Sequence, residues 1–134
     1  MTTPKTPAWT RRLFALTVFG LGLTGVAQMP IFSRYYIADI PGFGWLGNFV
    51  LTHVMHEVLA IVFLFLAFRF AADYVLIRRR DQALTASGLV RVAIYAALIV
   101  TGAVRVVKNL SGVHLGEQAV MAVDWTHLFV AILL

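Results

Sequence analysis

The chain has 134 residues, 60% of them hydrophobic and 13% charged, with a formal net charge of +5 and no cysteine. A soluble domain of this size carries about a quarter charged residues, so this deficit and a mean hydropathy of +0.86 indicate a membrane protein. The missing thiols exclude disulfides, thiolate-held iron–sulfur clusters and a haem attached through a Cys-x-x-Cys-His motif.

The positive charge is not a nucleic-acid signal. Lys5, Arg11, Arg12, Arg78, Arg79 and Arg80 flank apolar runs, where basic residues orient a membrane protein. No Gly-rich phosphate loop and no Ser-His-Asp pattern is present.

Near the N-terminus, Thr10-Arg11-Arg12-Leu13-Phe14 precedes an apolar run in the manner of a twin-arginine export signal, and Gly25-Val26-Ala27 resembles a small-residue cleavage site. The competing expectation, favoured by the internal repeat below, is a first transmembrane helix over residues 13–29, ended by Pro30. Residues 31–45 form a polar-aromatic loop with Ser33, Arg34, Tyr35, Tyr36 and Asp39 ahead of Pro41-Gly42-Phe43-Gly44. Its tyrosines and Trp45 suit an interfacial aromatic belt, with ligand contact as a second role. A second span is expected over 46–68, with Arg69 and Asp73 one turn apart as a pair where the helix leaves the hydrocarbon.

A short basic turn then leads to Thr85 and Ser87, either of which is suited to cap a third span over 88–107. After a loop over 108–117, a fourth span runs over 120–134. It is about 22 Å long at ~1.5 Å per residue, short of the ~30 Å hydrocarbon core. The natural protein is therefore expected to continue beyond residue 134. The expected fold is an all-α membrane protein, a single domain over 1–134 built as a four-transmembrane-helix bundle. The N-terminus and the Arg78–Arg80 turn would face the cytoplasm, with Arg34 and Lys108 in the opposite loops. That is the topology of a multi-pass protein of the bacterial inner membrane, with lipid as its first partner.

The two halves also match each other. Leu23-Thr24-Gly25 corresponds to Val100-Thr101-Gly102, and the segment from Val54 to Ile61 aligns with that from Trp125 to Ile132. His56 thereby falls opposite His127, and His53 opposite Asp124. Two repeated helical hairpins related by an axis along the membrane normal would produce this pattern.

Polar groups at membrane depth are costly and tend to be functional. His56 and His127, equivalent in the repeat and each set in apolar sequence, suit the two axial imidazoles of one haem. The alternative is that each only hydrogen-bonds inside the bundle. Small residues would let a flat macrocycle approach the backbone: Gly20, Gly22 and Gly25 in the first span, Ala96, Ala97 and Gly102 in the third. Arg105, Lys108 and Arg34 are candidates to bind propionates, with interfacial snorkelling as the plainer role.

His53 shares roughly one helix face with His56 and could replace it as ligand, bind a propionate or line a quinone pocket. Glu57 and Asp124 are candidate proton acceptors for quinol oxidation, although Asp124 also suits a cap in the first turn of its helix. His114 belongs to a solvated loop.

These helix-borne histidines give the chain a resemblance to the small cytochrome b membrane subunits of bacterial respiratory oxidoreductases, which accompany formate dehydrogenases, nickel–iron hydrogenases and related complexes. The resemblance covers most of the chain in architecture, through short motifs. It implies that His56 and His127 ligate haem b and that electrons pass between a partner redox subunit, on the periplasmic side, and the quinone pool. Those families often hold two haems, one near each face. The inner halves of these helices carry no histidine, so one haem is expected here. Two other classes remain open on the residues alone: a haem-free membrane anchor or assembly subunit, and a small carrier using Glu57 and His53 as a proton relay.

Overall fold

The structure, a computed structural model, describes residues 6–29 and 39–134. Lys5, Pro30, Ser33, Arg34, Tyr35 and Tyr36, with the roles expected of them, lie outside that range. Among the described residues there are four α-helices and no strand: α1 (Ala8–Ala27), α2 (Phe49–Asp73), α3 (Ala86–Val107) and α4 (Glu117–Ile132). A helical stretch over Phe49–Arg78, and α3, are long and apolar enough to cross a membrane. Large side chains such as Leu16, Phe19, Phe65, Phe68, Val100 and Trp125 stand between 62% and 68% exposed. Hydrocarbon, rather than water, is the solvent that such faces suit. The chain divides into two compact units, Met1–Asp81 and Gln82–Leu134.

In the first unit α1 and α2 pack antiparallel. Their seam is made by Thr10, Thr17 and Thr24, spaced seven residues apart and all buried. Small hydroxyl side chains let two backbones approach closely, and two of these three bond back to their own helix. Thr17 Oγ1 donates to the Leu13 carbonyl at 2.8 Å, and Thr24 Oγ1 to that of Gly20 at 2.7 Å. Gly20 is a point of close approach, since a Cβ there would lie 2.9 Å from Leu59 Cδ1. Further along, Phe14 packs against Phe63 and Phe70, with ring centroids 5.8 and 5.3 Å apart.

Helix boundaries differ from the expected ones for identifiable reasons. Helix α1 begins at Ala8 rather than near residue 13, because Arg11 and Arg12 project outward from a continuous helix instead of delimiting it. Helix α2 begins at Phe49 rather than 46. Residues Gly44–Gly47 form a 3₁₀ turn, and the Asn48 side chain then accepts the Leu51 N–H at 3.0 Å as the N-cap. Buried Leu46 of that turn packs on Ala27 and Leu23.

At the other end, Asp73 does not take Arg69. The helix widens into a π turn over Tyr74–Arg78, closed by Arg79 N–H on the Tyr74 carbonyl at 2.8 Å. The wider turn brings Arg78 back over Asp73 at 2.7 Å, while Arg69 lies 5.9 Å above the Trp9 ring. Arg78 also donates to Thr6 Oγ1 at 3.2 Å, tying the start of α1 to the end of α2.

In the second unit α3 and α4 form another antiparallel pair. Thr85, one of the two expected caps, accepts the Gly88 N–H at 3.1 Å. Helix α4 starts at Glu117 rather than 120, with its acid in the first turn where the helix dipole favours a negative charge. Asp124 is therefore two turns inside the helix and is not a cap, contrary to one of its expected roles.

Candidate functional site

His56 lies two turns into α2 and faces the Thr24-Gly25 step of α1. Its Nδ1 is 2.9 Å from Thr24 Oγ1, the same oxygen that lies 2.7 Å from the Gly20 carbonyl. A hydroxyl has one hydrogen and a carbonyl can only accept, so that hydrogen lies on the Gly20 side. The imidazole is therefore assigned as the donor, Nδ1–H to Thr24 Oγ1, which puts the ring's lone pair on Nε2. Gly25 leaves room beside the ring, where a Cβ would stand 3.4 Å from His56 Cε1.

The second unit contains the same arrangement. His127 on α4 faces Thr101-Gly102 of α3, with Nδ1 2.8 Å from Thr101 Oγ1. Thr101 Oγ1 donates in turn to the Ala97 carbonyl at 2.7 Å. A Cβ on Gly102 would lie 3.5 Å from His127 Cε1. The two histidines therefore share a tautomer, a hydroxyl partner and an adjacent glycine. Gly22, by contrast, has nothing within 4 Å of the place a Cβ would occupy.

His53 has a different setting. The Gln28 amide nitrogen donates to the Thr24 carbonyl at 3.1 Å, which turns its oxygen toward His53 Nδ1 at 3.3 Å. On the ring's other side, Nε2 is 3.3 Å from Glu57 Oε1, and Phe49 stacks on the ring with centroids 5.7 Å apart. His53 and Glu57 are about half exposed, their side chains 44% and 55% accessible. They form a polar patch on the surface of the first unit, one turn from His56.

Asp124 gathers the expected propionate partners of the second unit. Arg105 Nε lies 2.9 Å from its Oδ1 and Lys108 Nζ 3.0 Å from its Oδ2. All three are partly exposed, so the attraction is screened and modest. Asp124 also borders a shallow surface groove of about 480 Å³ with Leu115, Glu117 and Trp125. His114 lies exposed in the loop before α4.

Sequence patterning aligned Thr24 with Thr101 and His56 with His127, but not the contact between the two sets. Gln28 carried no motif at all. Among the described residues no cluster of three or more His, Asp or Glu stands together as a bare metal ion would need. A haem asks for fewer protein ligands, because the porphyrin supplies the rest. No protein family, curated protein or solved structure matches the chain.

Proposed function

We propose that the chain is a b-type haem subunit of the bacterial inner membrane, carrying electrons between a periplasmic redox partner and the quinone pool. In this reading His56 and His127 would hold the iron of one non-covalent haem. The observation that carries the reading is the recurrence, in both units, of a histidine whose Nδ1 lies 2.8–2.9 Å from a threonine hydroxyl beside a glycine. The residues fit the group: a neutral imidazole with its lone pair on Nε2 is the form that ligates iron, and a hydrogen bond on the other nitrogen fixes ring and tautomer. The haem, when bound, supplies one-electron redox chemistry.

The protein's own residues do the remaining work. Thr24 and Thr101 hold the rings, and Gly22, Gly25 and Gly102 keep side chains from crowding a flat ligand. Arg105 and Lys108 offer cations to propionate groups, shared with Asp124. His53 and Glu57 provide the proton-accepting groups that quinol oxidation requires, with Asp124 as a further candidate. The four helices act as four spans in two repeated hairpins, with the N-terminus cytoplasmic.

The test is the optical spectrum of the purified full chain. A Soret band that shifts on reduction is expected, absent in His56→Ala and His127→Ala and retained in His114→Ala. A wild-type protein with no such band, prepared with haem supplied, refutes the reading.

A further inference from the structure

We infer that Thr24 and Thr101 are positioning residues that set the tautomer and the electron-donating strength of His56 and His127; the second part rests on the haem reading above. Each hydroxyl spends its only hydrogen on a carbonyl one turn back, at 2.7 Å, so it meets the imidazole as an acceptor alone. That donation polarises the oxygen and makes it a stronger acceptor, an effect enlarged where water is excluded. Thr24 is 1% exposed.

In water an isolated histidine prefers to carry its proton on Nε2, which blocks ligation through that nitrogen. The threonines reverse that preference before any ligand arrives. A carboxylate in the same place would pull the proton further and push the ring toward imidazolate. A hydroxyl acts in the same direction more gently, so the ligand stays neutral while gaining basicity. Equivalent hydroxyls thus act on both rings in the same direction.

The experiment uses the full chain in lipid nanodiscs, first without haem. In ¹⁵N-histidine spectra, wild-type His56 and His127 are expected as Nδ1–H tautomers. Thr24→Val should move His56 alone toward Nε2–H, Thr101→Val should move His127 alone, and Thr24→Ser should restore the wild-type signal. Once haem is added, both valine variants should show a raised midpoint potential and the serine variant a wild-type one, since a less basic ligand favours ferrous iron. Nε2–H tautomers in the wild type, or an unchanged His56 signal in Thr24→Val, overturn the inference whatever the haem result. Failure to bind haem with the tautomers as described overturns the haem reading and leaves the positioning of the rings standing.

Discussion

The α1–α2 seam offers one substitution at three places with three different expected signs. Thr10, Thr17 and Thr24 are all buried at seven-residue spacing, and each can be replaced by the similarly shaped valine. Thr24 bonds across the interface to His56, so Thr24→Val removes an interhelical hydrogen bond and takes an acceptor from a part-buried ring nitrogen. Such bonds average about 0.6 kcal/mol in membrane bundles, with a ceiling near ~1.7, and the larger figure suits a residue this buried. Thr17 bonds only to its own helix, a contact that survives when the helices separate, so Thr17→Val should change stability by less than ~0.3 kcal/mol. Thr10 is the reverse case. Its hydroxyl is buried and has no partner among the described residues, because the residue four back, Thr6, precedes the helix. An unsatisfied buried hydroxyl costs about 1–3 kcal/mol, so Thr10→Val should stabilise by about 1 kcal/mol, a factor of about five in the folded ratio. Reversible unfolding of the full chain in mixed micelles, followed by helix content, measures all three. A Thr10→Val variant destabilised as much as Thr24→Val would refute the reasoning, since it would mean that seam hydroxyls act through packing alone.

Asn48→Ala should cost about 1 kcal/mol at the start of α2, seen as faster hydrogen exchange confined to its first turn. Gly102→Ala should keep haem, because its Cβ meets His127 at an ordinary 3.5 Å, whereas Gly102→Leu should displace the ring and abolish the Soret band. Asp124→Asn should loosen the α3–α4 pair by under ~1 kcal/mol, and the difference should vanish in 1 M salt, where surface pairs are screened within ~3 Å. A salt-independent loss there would assign Asp124 a buried role instead.

Most of the helical pattern was legible because apolar runs of this length allow little else, and the loops between α3 and its neighbours fell close to where glycine and the cap at Thr85 put them. The ends were less legible for local reasons. An arginine pair inside α1 looks like a boundary in composition, yet long charged side chains extend from a helix without ending it. The π turn after Asp73 left no trace in residue types, so the partner of Asp73 lies about one turn after it, at Arg78, and not one turn before it, at Arg69. At the candidate site the alignment of His56 with His127 could be read from the sequence. Their threonine partners could not, because a threonine at membrane depth bonds to its own helix by default, and only the packing of α1 on α2 and of α3 on α4 shows the second contact. The signal was present in the paired Thr-Gly steps, but as an alignment rather than as chemistry.

The length of α2 has a consequence for how strongly voltage acts on the molecule. Its 30 helical residues through Arg78 span about 45 Å, and His56 sits only about 10 Å from the Phe49 end. A charge held at that level and delivered from the near face crosses about a third of a ~30 Å insulating layer. A full crossing is worth about 2.3 kcal/mol per 100 mV, so this one feels roughly 0.8. On the proposed haem reading, a redox event at His56 would thus feel about a third of the membrane potential when served from that side, and about two thirds of it, roughly 1.5 kcal/mol per 100 mV, when served from the other.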